Sequence, residues 1–189
     1  MNVYDFDNTI YKGDSTADFY IFSLLRHPSI IKYLPSLVCA FLKYYLFKIG
    51  TKTQFKEKMF SFLKSVDIDK DLNDFWETHF KNIKPWYIKS QKNDDVIISA
   101  SPYFLLEPVC KKLGIKHLIA SRVDKKSGKY TGLNCHGEEK VRRFDEVFKN
   151  AVIDNFYSDS KSDTPLAKIA KCAYLVKGEK ITSWVFENK

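Results

Sequence analysis

The run Val96-Ile97-Ile98 is apolar at every position, and it leads at once into Ser99-Ala100-Ser101-Pro102 and a helical stretch that stops before Gly114. A strand without polar alternation has to be covered on both faces, the condition of a parallel sheet flanked by helices. Asp95–Ser99 is read as that strand and Pro102–Leu113 as the helix, with Pro near its first turn and Gly just past its end. The alternation then repeats. Lys116–Ala120 reads as strand, Gly137–Phe148 as helix, Ala151–Tyr157 as strand and Pro165–Lys171 as helix, with late strands at Tyr174–Val176 and Thr182–Phe186. Arg122–Thr131, centred on Ser127-Gly128, reads as a hairpin. Asn2–Asp7 opens the chain as a short strand. The expected class is α/β, a doubly wound (Rossmann-like) parallel sheet.

A helical block interrupts this order early. Helical periodicity covers Ser15–Leu25, Ser29–Ile49, Thr53–Lys64 and Asp69–Phe80, and Lys84-Pro85 is read as its close. The expected organisation is therefore a core made of 1–13 and 86–189 and a small helical insertion at 14–85. The 189 residues suit one domain with such an insert.

Charge is uneven. Lys and Arg total 31 against 23 Asp and Glu, a net +8. No acid occurs from Phe19 to Lys56, which holds Arg26, Lys32, Lys43, Lys48, Lys52 and Lys56 among many apolar side chains. Lys32, Pro35 and Lys43 break the apolar run well short of the ~18 residues of a membrane span. Two readings remain: an ordinary helix pair that buries its aromatics, or a weak peripheral association with an anionic membrane surface. Cys39, Cys110, Cys135 and Cys172 form no CxxC pair and are expected to be reduced core thiols. The polar, acidic start excludes a cleavable secretory signal at this end, so a cytoplasmic location is expected, peripheral at the inner face of the membrane if the second reading holds. Nucleic acid is not expected as a partner, because the basic excess sits in an apolar segment. Nothing in the sequence indicates an oligomeric state.

Four polar clusters fall at strand ends or helix starts, where α/β sheets bind ligands. They are Asp5-Phe6-Asp7-Asn8-Thr9, Ser99-Ala100-Ser101-Pro102, Gly137-Glu138-Glu139-Lys140 and Ser158-Asp159-Ser160-Lys161-Ser162-Asp163. Taken singly each has a plain structural reading: a turn, a helix N-cap or a solvated lysine. Ser101 could equally cap the following helix or touch substrate. Together, two carboxylate pairs, a hydroxyl and a lysine make a site for a hard cation and a phosphate. Cys135 and His136 are read as packing and loop residues.

In order, spacing and strand context these clusters resemble the motifs of the haloacid dehalogenase superfamily of phosphatases. The insertion resembles the small helical cap of the subfamily that includes phosphoserine phosphatases. The resemblance implies a phosphomonoester hydrolase acting through an aspartyl-phosphate on a small phosphorylated substrate. It implies Asp5 as nucleophile and Asp7 as general acid and base. Ser99 and Lys140 would bind the phosphoryl oxygens. Magnesium would be held by Asp5, the Asp7 carbonyl and Asp159, with Asp163 in support. Asp14 matches a substrate-binding Glu of phosphoserine phosphatases, and Phe62 falls where their cap Arg stands, unless Lys56, Lys58 or Lys64 substitutes. On that alignment phosphoserine is disfavoured. The basic, aromatic insertion is similar to that of relatives proposed to act on phospholipid headgroup phosphates, the alternative substrate class. A non-catalytic basic binding module is the alternative outside enzymes.

Overall fold

The computed structural model describes residues 1–186; residues 187–189, the end of the expected core segment, lie outside the described residues. Six strands form one sheet: β1 (Asn2–Tyr4), β2 (Val96–Pro102), β3 (His117–Ser121), β4 (Ile153–Ser158), β5 (Ala170–Lys177) and β6 (Lys180–Ser183). Their order is β3-β2-β1-β4-β5-β6, with all neighbours parallel except β5 and β6. The edge strand β6 therefore departs from the all-parallel expectation: Gly178 adopts a positive φ of 59° and turns the chain straight back on itself. β5 also starts earlier than expected, because its predecessor helix ends at Ile169.

Alternation along each strand divides the core. Tyr4 and Ile97 belong to a cluster with Leu105 and Val109 of α6 (Tyr103–Leu113) and with the helical block. Val3, Val96, Ile98 and Phe156 face the other way, onto Phe144 of α7 (Glu138–Val147) and Leu166 of α8 (Thr164–Ile169). The rings of Tyr4, Tyr157 and Tyr174 stack across β1, β4 and β5 at 4.8 Å centroid spacings.

Between β1 and β2 lie α1 (Ser15–Arg26), α2 (Leu34–Phe41), α3 (Lys52–Met59), α4 (Ile68–His79) and α5 (Pro85–Ser90). Asp14 caps α1 through the Thr16 and Ala17 N–H groups, and Thr51 with Gln54 forms a capping box on α3. Phe19, Phe62, Phe75 and Trp76 fill the interior of the block, and the Trp76 indole N–H donates to the Leu105 carbonyl at 2.7 Å. Two expectations fail here. Residues 29–49 form no single helix but a 3-10 turn at Pro28–Tyr33, then α2, then a π turn at Leu42–Leu46; prolines stand at the start of the first two pieces. The helical pattern also continues past Lys84-Pro85, because Pro85 starts α5 rather than ending a helix.

The expected hairpin is reduced to one antiparallel bridge, Val123 to Tyr130. Gly128, at φ 72°, passes so close to α3's continuation that a Cβ would lie 2.3 Å from the Phe60 carbonyl oxygen. Cys110 and Cys135 are buried thiols, whereas Cys39, on α2, and Cys172, on β5, are exposed, which corrects their reading as core residues. Among the described residues no helix is long and apolar enough to cross a membrane.

Candidate active site

The chain runs out along β1, β2 and β3 and returns on the other side of β1 as β4. The crevice at that reversal is the ligand position of an open α/β sheet, and Asp5 stands in it. Its N–H donates to the Tyr157 carbonyl at 2.8 Å. The chain then wraps tightly: the N–H groups of Thr9, Ile10 and Tyr11 all donate to the Phe6 carbonyl, and Asn8 takes a φ of 55°. This wrap is what allows Asp5 and Asp7 to line one cavity of about 450 Å³ although their residues alternate along the chain.

The two carboxylates have different partners. Lys140, in the first turn of α7, is buried and donates to Asp5 Oδ1 at 2.6 Å and to Asp163 Oδ2 at 2.7 Å. Ser158 donates to the same Asp163 oxygen at 2.7 Å. Asp7 instead accepts from Ser15 N–H at 2.7 Å and from the Ser101 hydroxyl at 2.5 Å. Thr9 bridges the first and fourth clusters, its Oγ1 3.5 Å from Asp5 Oδ2 and accepting from Asp159 N–H at 2.9 Å. Ser99 Oγ accepts from the Ser101 N–H at 3.1 Å, inside the irregular end of β2.

Burial raises the Asp5 pKa, and the charge of Lys140 opposes that rise. Burial alone would lower Lys140, but Asp5 and Asp163 outweigh it and hold the ammonium above its ordinary value. Asp7 is pushed up to about 6 by burial and by the charge of Asp14, against the hydrogen bonds from Ser101 and Ser15. Burial and the neighbouring Asp163 also raise Asp159.

Asp5, Asp7, Asp14, Ser99, Ser101, Lys140, Asp159 and Asp163 all line this cavity. Ser101 does not cap α6, whose preceding residue is Pro102; it holds Asp7 and contacts Thr16 Oγ1 at 2.9 Å. Phe62 is a correction: its ring is fully buried against Phe19 and Tyr20 and does not reach the cavity. Lys56, not Phe62, is the candidate that lines the cavity. It reaches the cavity from α3, and burial together with Lys52 lowers its pKa to about 8. Lys58 and Lys64 line a different surface cleft. His136 is a second correction, since it lines the cavity rather than only packing a loop. Its signal was positional: it stands just ahead of the helix start that delivers Lys140. Tyr45, Lys52, Phe55 and Met59, which also line the cavity, were hidden inside the apolar, basic pattern of the insertion.

Residues 3–168 match the family of haloacid dehalogenase-like hydrolases. This chain belongs to that family. Among curated proteins the hydrolase is 31% identical over 97 residues to a probable phosphatase of Mycobacterium tuberculosis, covering 46% of this chain and 33% of that protein. It is 27% identical over 146 residues to a histidinol-phosphatase of Neisseria meningitidis, covering 69% of this chain and 62% of that protein. The chain thus spans about a third of the length of the first of these relatives and under two thirds of the second. A Bordetella pertussis protein of unknown function shares the fold at TM-score 0.68 and 19% identity, over 92% of this chain and 87% of that one. A phosphoserine phosphohydrolase-like protein of Francisella tularensis does so at TM-score 0.58 and 16% identity, over 92% and 86%.

The donor set of the hydrolase suits a divalent cation. Among the described residues no three His, Cys, Asp or Glu side chains form a ready cluster. The expected set needs only the Asp5 and Asp159 carboxylates with the Asp7 carbonyl. Asp163 Oδ1 is buried without a hydrogen-bond partner, and Lys140 meets two carboxylates with one charge. Crowded anionic oxygens of this kind fit a hard cation such as magnesium.

Proposed function

We propose that this hydrolase cleaves phosphomonoesters, with Asp5 as nucleophile and Asp7 as general acid and then base. The observation that carries the reading is the division of labour between the two carboxylates: Asp5 bound to Lys140 at 2.6 Å, Asp7 held aside by Ser101 and Ser15. Pairing with the buried Lys140 ammonium favours the anionic form of Asp5 against the effect of burial, and that form can attack phosphorus. Asp7, held by a hydroxyl and a backbone N–H rather than by a cation, is placed to carry a proton to a leaving oxygen.

In the first step an Asp5 oxygen bonds to phosphorus as the phosphorus–oxygen bond to the leaving group breaks. Asp7 gives its proton to that leaving oxygen. In the second step Asp7 takes a proton from water as the water oxygen attacks the aspartyl-phosphate, releasing inorganic phosphate and Asp5. Lys140 and the Ser99 hydroxyl offset charge on the phosphoryl oxygens. Asp5, the Asp7 carbonyl and Asp159 would hold magnesium, with Asp163 in support; when bound, the ion offsets repulsion between Asp5 and an anionic substrate. The helical block at 14–85 is proposed as the cap that closes this site.

Lys52 and Lys56 face the cavity and suit a substrate with a further anionic group beyond the phosphate. Lys56 offers a cation where Phe62 offers none, which removes the Phe62 half of the sequence argument against phosphoserine; the Asp14 half stands. A second reading, an amphiphilic phosphate such as a phospholipid headgroup, is favoured by the apolar wall of Tyr45, Phe55 and Met59. The test is phosphate release with magnesium from a panel of amino-acid, sugar, nucleotide and lipid phosphates. Magnesium-dependent release that disappears in Asp5→Asn is expected. Release that persists in Asp5→Asn overturns the mechanism.

A further inference from the structure

We infer that the outer face of residues 31–49 is a docking surface for an anionic lipid bilayer. Leu34, Val38, Phe41, Leu42, Leu46 and Phe47 are all exposed, Leu46 at 67% and Phe47 at 62%. The first four recur at helical spacing, so they stand on one side of α2 and the π turn that follows it. The opposite side is what fastens this segment to the protein. Tyr33 and Leu37 pack against the core, the Tyr33 hydroxyl meets Ser65 Oγ at 2.5 Å, and Tyr44 stacks on Phe55. The segment thus has one packed apolar face and one that is largely open to solvent. Single exposed apolar residues are ordinary, but a contiguous group on one face marks an interaction site.

Charge selects the occupant. Lys32, Lys43 and Lys48 are exposed in the same segment, flanking this face, and no acid occurs from Phe19 to Lys56. A second copy seated face to face would bring lysines against lysines. Anionic headgroups would pair with the lysines while the apolar side chains enter the acyl boundary. The surface is also continuous with the mouth of the site. Tyr45 is 45% exposed and lines the catalytic cavity, and Phe55, which lines it too, has its ring 5.6 Å from Tyr45 and 6.1 Å from Phe41. Docking would therefore hold the cavity mouth against the lipid surface. The inference goes beyond the phosphatase reading and does not depend on it, since the patch holds no reacting group.

Vesicle flotation of the whole chain tests it, with phosphatidylcholine alone against phosphatidylcholine mixed with phosphatidylglycerol, at low and at high salt. Flotation with the anionic vesicles that weakens with salt is expected, with little on phosphatidylcholine alone. Combined Leu46→Ser and Phe47→Ser, or combined Lys43→Glu and Lys48→Glu, should each reduce the bound fraction about tenfold. All four positions are exposed, so circular dichroism and hydrolysis of a soluble phosphomonoester should match the parent chain. No flotation with anionic vesicles at low salt overturns the inference, as does flotation that neither pair reduces. A concentration-dependent dimer that the Leu46 and Phe47 changes abolish, with no vesicle binding, also overturns it and assigns the face to a second copy.

Discussion

Lys56 reaches out of α3 to the backbone of β2, its Nζ 3.0 Å from the carbonyl oxygen of Ala100. That bond brings an ammonium from the helical block to the strand end that carries Ser99 and Ser101, and both of its residues line the cavity. Its pKa is lowered to about 8, first by burial and then by Lys52. If Lys56 receives an anionic group of the substrate, KM should rise as pH passes about 8, and Lys56→Gln should show a KM about tenfold higher without that step. Unfolded Lys titrates near 10.4, so the unfolded chain holds this proton more tightly. Stability should therefore increase with pH between those two values, and Lys56→Met should lose that gain. Steady-state kinetics and thermal melts across this pH range check both.

Asp7→Asn should lower kcat roughly 10²–10⁴-fold, the usual worth of a positioned proton donor, with KM little changed. Ser101→Ala removes the hydroxyl that fixes the Asp7 carboxylate and should lower kcat by less than Asp7→Asn does. Equal losses in the two variants would mean that Ser101 does more than position Asp7.

Lys140→Met should cost stability as well as activity. It leaves Asp5 and Asp163 buried without their shared cation. Breaking a buried pair costs about 3–5 kcal/mol, which at roughly 2–4 °C per kcal/mol lowers Tm by about 6–20 °C. Asp5→Asn leaves Lys140 with Asp163 and should melt much closer to the parent chain. Calorimetry on the two variants measures the contrast.

Gly128→Ala should destabilise the fold by about 1–3 kcal/mol, because a Cβ there meets the Phe60 carbonyl oxygen and the backbone is left-handed. Denaturant unfolding of this variant, with Gly114→Ala as a control in open space, separates the collision from the φ penalty.

Much of this architecture is readable in the chain, because β2 is set by a local apolar run and several helix starts by their capping residues. Asp5, Asp7, Ser99, Lys140, Asp159 and Asp163 could be found for the same reason: each follows a strand or opens a helix, so its position depends on local pattern. Lys56 and His136 were harder. Each reaches the cavity through the packing of one element on another, and neither α3's capping box nor the loop before Gly137 records that packing. Phe62 misled because register in a block of short, broken helices cannot be counted across Pro28, Pro35 and the π turn. β6 reversed direction because a single residue, Gly178, made the turn.

The ion pair between Asp5 and Lys140 joins positions 135 apart in the chain, and Asp163 completes it later still. On a ribosome Asp5 is made before Lys140, and Lys140 before Asp163. At about 5–20 residues per second, roughly 8–30 seconds separate Asp5 from Asp163. β4, which pairs with β1 on the side away from β2, is also completed only near the end of that interval. A nascent chain cut short before Asp163 carries Asp5 but not the full group of charges that meets at Lys140. The charge cluster is therefore completed in one late event rather than in stages, and a chain that ends before it leaves an unfinished sheet, the kind of surface that aggregates.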